Sequence, residues 1–273
     1  MAYFGDPILA ADLLFRPDHS VIDQSVNARF GATTTNGDGF GLGWYGESPE
    51  PAVYKSTQPA WSDPNLRELA YQVRTPLLFA HVRASTGTAV QRSNCHPFRH
   101  GRWMWMHNGL IRGFSNLKRD LVMAVDPELY PQIEGTTDSE VLFFLALTFG
   151  LEADPFDAVA RSVGLVEDVA RAHDIENAVQ LTAATTDGRS VWGFRYSTEG
   201  KSRSLYYSSD VAQLRKLHPD VAVLRGLGEE TRLVVSEPLL HLPGAWIGVP
   251  ESSAGIVRPG TDEIRDFAPI PPG

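Results

Sequence analysis

A single cysteine, Cys95, stands in the 273-residue chain. One thiol cannot form an internal disulfide, so a cross-linked scaffold is excluded and the usage fits a reducing cytoplasm. Long apolar runs are missing too. The longest, around Val141 to Leu147, falls far short of the roughly 20 residues a membrane span needs. The first residues carry no basic flank ahead of an apolar core, so no signal peptide is expected. Positive charge is the scarcer sign: 24 Lys and Arg stand against 33 Asp and Glu, for a net charge of −9. Phosphates must be met by clustered cations, so a nucleic-acid or anionic-membrane surface is disfavoured.

Several common chemistries also lack their residues. Gly37-Asp38-Gly39-Phe40-Gly41-Leu42-Gly43 fails the dinucleotide pattern, because Leu42 stands where glycine is needed, and no Gly-Lys-Ser/Thr follows to make a phosphate loop. No serine-hydrolase nucleophile elbow is present. Cys95, His96, His100 and His107 lie close together, but Cys95 and His96 are adjacent and no second ligand pair exists. Closed zinc sites repeat a spaced pair, so ordinary loop and strand-end histidines are the preferred reading, with no metal or cofactor expected.

What is there is an ordinary composition, 42% hydrophobic and 21% charged, without a shift that marks a linker. One domain over residues 1–273 is expected. Met1–Phe4 reads as a strand stopped by Gly5-Asp6-Pro7, and Ile8–Phe15 as a short helix-like cluster ended by Pro17. Thr33 to Gly39 is turn chemistry ahead of a strand at Phe40–Tyr45. Asn65–Gln72 reads as a small helix, and Leu77–Val82 and Trp103–Met106 as buried strands. Thr137 and Glu140 have capping-box spacing before a buried helix over Val141–Leu147. Asp154-Pro155 starts another, whose apolar stripe is Phe156, Val159, Val163 and Val166. Strands follow at Val179–Thr185, Ser190–Tyr196, Leu205–Ser208, Thr231–Ser236 and Gly255–Val257, and Pro269–Gly273 reads as a loose tail. Strands flanking two central helices, without regular βα alternation, give an α+β class.

The remaining polar constellation sits at strand ends and helix starts. Asn36-Gly37-Asp38-Gly39-Phe40-Gly41, His81-Val82-Arg83-Ala84-Ser85-Thr86-Gly87, His107-Asn108-Gly109 and Thr136-Thr137-Asp138-Ser139-Glu140 occur in that order. This set resembles the glutaminase domain of class II glutamine amidotransferases, enzymes with an N-terminal nucleophile. Within that family it is most similar to stand-alone bacterial members. Their opening reads Cys-Arg-Trp, then an apolar residue, Ala, Tyr and another apolar residue. Met1-Ala2-Tyr3-Phe4-Gly5 matches the latter part of it, and Ser236-Glu237-Pro238-Leu239 and Trp246 look like the group's C-terminal signature. The resemblance spans nearly the whole chain.

The resemblance implies a four-layer αββα sandwich of two antiparallel sheets. It implies a site in which Arg83 holds the α-carboxylate of glutamine, with Thr86 near the same group, and Asp138 holds the α-ammonium. A planar guanidinium suits a carboxylate because it binds both oxygens at once. Asn108 and Gly109 match the oxyanion hole, a side-chain amide and a backbone N–H aimed at the developing charge. Taken singly, Arg83 fits a carboxylate pair, Asp138 a capping network and Asn108-Gly109 a turn dipeptide equally well. As an ordered set they favour function. Cys95 lies in a loop the family shares, and packing is its preferred role.

The family's mature N-terminal cysteine attacks the amide carbon, and its own α-amine serves as base, titrating near pKa ~7.7–8.0. Here residue 1 is Met1, matching the fourth mature position of the pattern. The equivalents of Cys-Arg-Trp are not in this sequence, which puts the chain end roughly 10 Å short of the site at ~3.3 Å per residue. As written the chain is expected to be inactive, so whether it is an enzyme stays open. A true start a few codons upstream is preferred over genuine loss of activity, because Arg83, Asn108, Gly109 and Asp138 persist together. The complete protein is then expected to hydrolyse the side-chain amide of glutamine or a γ-glutamyl compound through a thioester. An ammonia-donating subunit for a separate synthase and an inactive glutamine-binding relative are the alternatives. Small-molecule substrate is the expected partner, with no nucleic acid or membrane; a homodimer is left open.

Overall fold

A computed structural model describes residues 1–30, 34–85, 87–260 and 262–272. Among these the strands in chain order are β1 (Ala2–Leu9), β2 (Phe40–Trp44), β3 (Ala52–Ser56), β4 (Arg74–Val82), β5 (Phe98–His100), β6 (Trp103–His107) and β7 (Leu110–Ile111). They continue with β8 (Val179–Thr186), β9 (Val191–Ser197), β10 (Tyr206–Ser208), β11 (Arg232–Val235), β12 (Trp246–Gly248), β13 (Ser253–Val257) and β14 (Glu263–Asp266). The helices are α1 (Ala11–Leu14), α2 (Val21–Val26), α3 (Pro64–Ala70), α4 (Phe114–Met123), α5 (Asp138–Thr148), α6 (Pro155–Ala172), α7 (Val211–Leu217) and α8 (Ala222–Arg225).

Two antiparallel sheets result. The first runs β12-β10-β11-β1-β4-β2-β3 and the second β14-β13-β9-β8-β6-β5, with β7 also on β8. The two-residue period of each strand sorts its side chains between layers. Leu78 and Ala80 of β4 pack outward with Tyr3, Leu13 and Leu66. Leu77 and Phe79 point the other way, onto Met104 and Met106 of the second sheet. Trp103 and Trp105 alternate with those methionines and face Leu142, Phe143 and Val163 of α5 and α6. The architecture is therefore αββα, with a thin apolar layer between the sheets and a core outside each.

Local signals explain most element ends. Thr137 Oγ1 accepts the Glu140 N–H, and Asp154 accepts the N–H groups of Phe156 and Asp157, capping α5 and α6. The reciprocal half of the capping box is absent. The Glu140 carboxylate instead takes the N–H groups of Glu134 and Gly135 at 3.0 and 2.6 Å, fastening the preceding loop.

Three expectations need correcting. Gly5-Asp6-Pro7 does not stop β1, which continues to Leu9 through a register shift between Phe4 and Ile8. Such an irregularity tolerates a proline that has no N–H for the ladder. The helix expected over Ile8–Phe15 shrinks to α1, because Ile8 and Leu9 belong to that strand. The C-terminal segment is not loose over its described part. Phe267 is buried, Ile270 packs on the core, and the Ile270 N–H donates to Ala160 O of α6. The turn expected at Thr33 lies outside the described residues, whereas Thr34–Gly39 carries no helix or strand.

Candidate functional site

A cavity of about 320 Å³ opens where the two sheets part. Four elements deliver the expected groups to it. The end of β4 supplies Arg83, the end of β6 supplies Asn108 and Gly109, and the start of α5 supplies Asp138. The fourth is the start of β1, where the Met1 amine donates to Ala80 O at 2.8 Å. Thr86 lies outside the described residues. The structure thus brings Arg83, Asn108, Gly109 and Asp138 around one space, although nearly sixty positions separate the first from the last.

Arg83 is 5% exposed, and its guanidinium meets neutral acceptors only. Nη1 donates to Asp38 O at 3.3 Å; Nη2 donates to Thr88 Oγ1 at 2.6 Å, Ser85 Oγ at 3.3 Å and Ala89 O at 3.4 Å. The Asp38 carboxylate turns away and accepts the Ser85 N–H at 2.7 Å. Among the described residues no ion pair involves Arg83, so the carboxylate-pair reading of this residue does not hold. A buried guanidinium without a counter-charge leaves a strong demand for an anion.

The acid and the glycine are held by backbone. Asp138 Oδ2 accepts the Ile111 N–H at 2.7 Å and Oδ1 accepts the Ser139 N–H at 2.7 Å. Gly109 is dictated by close approach, since a Cβ there would lie 2.0 Å from Gln180 O and 2.3 Å from His107 Nε2. His107 sits beneath, with Nε2 against Gln180 O at 2.9 Å and Nδ1 against Ser139 Oγ at 2.9 Å. The carbonyl demands a proton on Nε2, and the Ser139 hydroxyl stands between Nδ1 and the Asp138 carboxylate, with Asp138 Oδ1 at 3.1 Å from Oγ. Burial lowers the affinity of this imidazole for a second proton, with the Asp138 charge opposing that trend.

Three further groups were given no role at this site by sequence. Arg203, between β9 and β10, lines the cavity and donates from Nη1 to Asn108 Oδ1. It lies in the polar stretch Lys201-Ser202-Arg203-Ser204, whose pattern is that of any surface connection. Glu237 was noted only as part of a signature. Its buried carboxylate accepts the N–H groups of Arg29 and Phe30 at 3.0 and 2.9 Å, and His19 Nε2 lies 2.9 Å away. It therefore ties the segment after α2 to the end of β11 at the cavity wall. His81 and His96 meet in the wall with ring centroids 4.3 Å apart and planes tilted by 41°. Among the described residues His81 Nδ1 and both His96 ring nitrogens are buried without hydrogen-bond partners. Burial, then neighbouring positive groups, pushes His81 down to about 3. Trp246 of the same signature stays away, donating to Leu240 O beside α7. Cys95 is buried with Sγ toward Ser56 O and Gln91 O, in keeping with a packing role.

Comparison with known proteins gives this geometry a context. The family model described as glutamine amidotransferases class-II matches residues 16–211. The probable glutamine amidotransferase DUG3 of Saccharomyces cerevisiae is 34% identical over 284 residues, covering 93% of this chain and 80% of that one. The gamma-glutamyl-hercynylcysteine sulfoxide hydrolase of Mycolicibacterium smegmatis is 29% identical over 189 residues, 68% of this chain and 77% of that one. Among solved structures, a glutamine aminotransferase class-II domain protein from Silicibacter pomeroyi superposes with a TM-score of 0.76 at 35% identity, covering 98% of each chain. A glutamine phosphoribosylpyrophosphate amidotransferase from Bacillus subtilis reaches a TM-score of 0.63 at 14% identity over 98% of this chain and 48% of that one, a likeness of fold.

Proposed function

The chain belongs to the class II glutamine amidotransferases, and from that footing we propose an amidohydrolase acting on the side-chain amide of glutamine or a γ-glutamyl compound. The observation that carries this reading is Arg83, a buried guanidinium with no counter-charge among the described residues, in a cavity that also holds an acid. A free α-amino acid end presents one carboxylate and one ammonium, and Arg83 and Asp138 are complementary to them. Asn108 and Gly109 would then receive the oxyanion at the other end of the substrate.

The nucleophile in this reading is a cysteine three positions ahead of Met1. Support comes from the strand slot that β1 leaves open. Ala2 pairs with Phe79 on one side and Val234 on the other. Continued at that register, three more residues would run past His81, Val82 and Arg83, and past Ser236, Glu237 and Pro238. The third would share the face of Ala2, which points toward the second sheet where Asn108 and Gly109 stand. Burial pushes the Met1 amine down to about 5, whereas a peptide N–H at the same place would bond Ala80 O without burying a charge. The cysteine sulfur would attack the amide carbon, and the C–N bond would break as the amine leaves with a proton from the cysteine's α-amine. Water would cleave the thioester to a γ-carboxylate and restore the thiol. We read residues 1–273 as one such domain, because the first sheet takes strands from both ends of the chain, and a cytoplasmic setting suits the unpaired thiol of Cys95.

Two measurements test the proposal. L-glutamine should raise the melting temperature of the 273-residue chain, and Arg83→Ala should abolish the rise; a rise that survives the substitution removes the assignment. Intact mass of untagged protein from its native host should exceed this chain by three residues, with cysteine first and glutaminase activity present. A native start at Met1 or Ala2 would end the enzymatic reading and leave the binding one.

A further inference from the structure

A second guanidinium in the cavity has no part in the reading so far. Arg203 donates to the Asn108 side-chain oxygen, and no ion pair to it is present among the described residues. Its partial burial lowers its proton affinity, with no acidic neighbour offsetting the trend. The backbone around it is firmly set. Thr182 of β8 holds both partners: its carbonyl accepts the Asn108 N–H at 2.8 Å, and its hydroxyl donates to Arg203 O at 3.0 Å. Arg195 Nε adds a second donor to Arg203 O at 3.1 Å.

This contact settles which way the Asn108 amide points. A guanidinium has only donors, so the amide atom facing it must be the oxygen. Nδ2, the donor an oxyanion needs, is then turned to the opposite side. With alanine or glutamine at 203 the amide would lose that constraint, and the cavity would lose its positive charge beside the reacting group. An arginine paired with a carboxylate would be largely neutralised there; one paired with a neutral amide keeps its field.

We propose that Arg203 is a positioning residue for Asn108, fixing its amide as an oxyanion donor and lending the γ-end of the substrate site a net positive charge. The inference rests on the proposed role of Asn108 in binding the γ-group. It makes the cavity bipolar along the substrate: Arg83 and Asp138 for the zwitterionic end, Arg203 acting through Asn108 for a γ-group that is becoming anionic.

The test needs no turnover. L-glutamine and L-glutamate share the α-end and differ only in a neutral or an anionic γ-group. Their dissociation constants are measured by calorimetry on the 273-residue chain and its variants, with melting in the absence of ligand as the check of folding. Arg203→Gln should weaken glutamate about tenfold more than glutamine, while Arg203→Lys, which keeps donor and charge, should hold the ratio within about threefold of the parent. Asn108→Asp, close to isosteric, places a carboxylate against the guanidinium and should lower the ratio similarly even where Arg203→Gln fails to fold. Equal weakening of both ligands by Arg203→Gln, or a ratio unmoved by Asn108→Asp, overturns the proposal. Should glutamine bind and depend on Arg83 while the ratio ignores residue 203, only this inference falls. Should neither ligand bind the parent chain, the proposed function falls with it.

Discussion

Helix α5 and the wall of the cavity between the sheets are both largely buried, and they are built on opposite terms. Every residue of α5 from Ser139 to Ala146 is buried, and from Val141 onward the run is apolar on all faces because α4, α6 and the second sheet surround it. Such a helix needs no polar stripe. Two aromatic rings there, Phe143 and Trp105, stack with centroids 6.1 Å apart. The cavity wall instead encloses imidazoles, guanidiniums and carboxylates, several with partners missing or of no charge. One region, from Val141 to Ala146, gains from burial at every position. In the other, burial opposes folding and is tolerated around a cavity. Burial alone therefore says little about purpose; the match between a buried group and its surroundings says much more.

That contrast can be broken at either side. Phe143→Ala, in the apolar layer, should lower unfolding free energy by about 3–5 kcal/mol, read by urea denaturation. Glutamine affinity of the folded fraction should not change; a large loss of affinity would show that the two regions are not separable. A comparable effect, spread over a range of pH, is expected from His81. Its proton affinity corresponds to a pKa of about 3 in the fold against an ordinary 6.5. Between those values the unfolded chain binds more protons than the folded one, so stability falls as pH drops below about 6.5. The slope from this group is about 1.4 kcal/mol per pH unit. Burial of His96 acts in the same direction. His81→Asn should remove one group's share of the slope between pH 6.5 and 4, and an unchanged slope would rule His81 out as its source. The smallest effect belongs to Glu237→Gln. Losing charge-assisted bonds from Arg29, Phe30 and His19 should cost about 1–3 kcal/mol. It should also loosen the segment after α2, detectable as faster amide exchange at Arg29 and Phe30; exchange confined to the parent rate would mean the carboxylate holds nothing there.

Much of the frame was legible because its signals are local. Asp154-Pro155 opens α6 as the pairing of cap and proline requires, and the Val159, Val163, Val166 spacing gives its buried face. Leu77 to Val82 lies within β4, and Trp103 to Met106 within β6. Helix α4 was missed: Phe114–Met123 buries only Leu117 and Leu121, and its left-handed Gly113 offers no side-chain cap to see. Strand β3 was missed because Ala52–Ser56 is a sheet edge with no fully buried residue. Within the cavity, Arg83, Asn108, Gly109 and Asp138 were legible through ordered motifs, and their convergence is a matter of tertiary structure. Arg203 and Glu237 escaped for a physical reason. Each acts by what it touches across the fold, Asn108 in one case and Arg29 and Phe30 in the other, and sequence spacing does not encode such contacts.

The central place of β1 in the first sheet governs the order in which this protein can be made. Its neighbours are β4, which follows early, and β11, which comes near the far end of the chain. During synthesis at about 5–20 residues per second, β1 waits tens of seconds for its second partner. Until then one flank of Ala2–Phe4 is an unpaired edge, the kind of surface on which strands of other chains can dock. Slow, non-local closure of this sort leaves a nascent chain dependent on protection from its neighbours. The seam that holds the cavity is thus among the last parts to exist, and shortening the chain ahead of Arg232 would expose that edge for good.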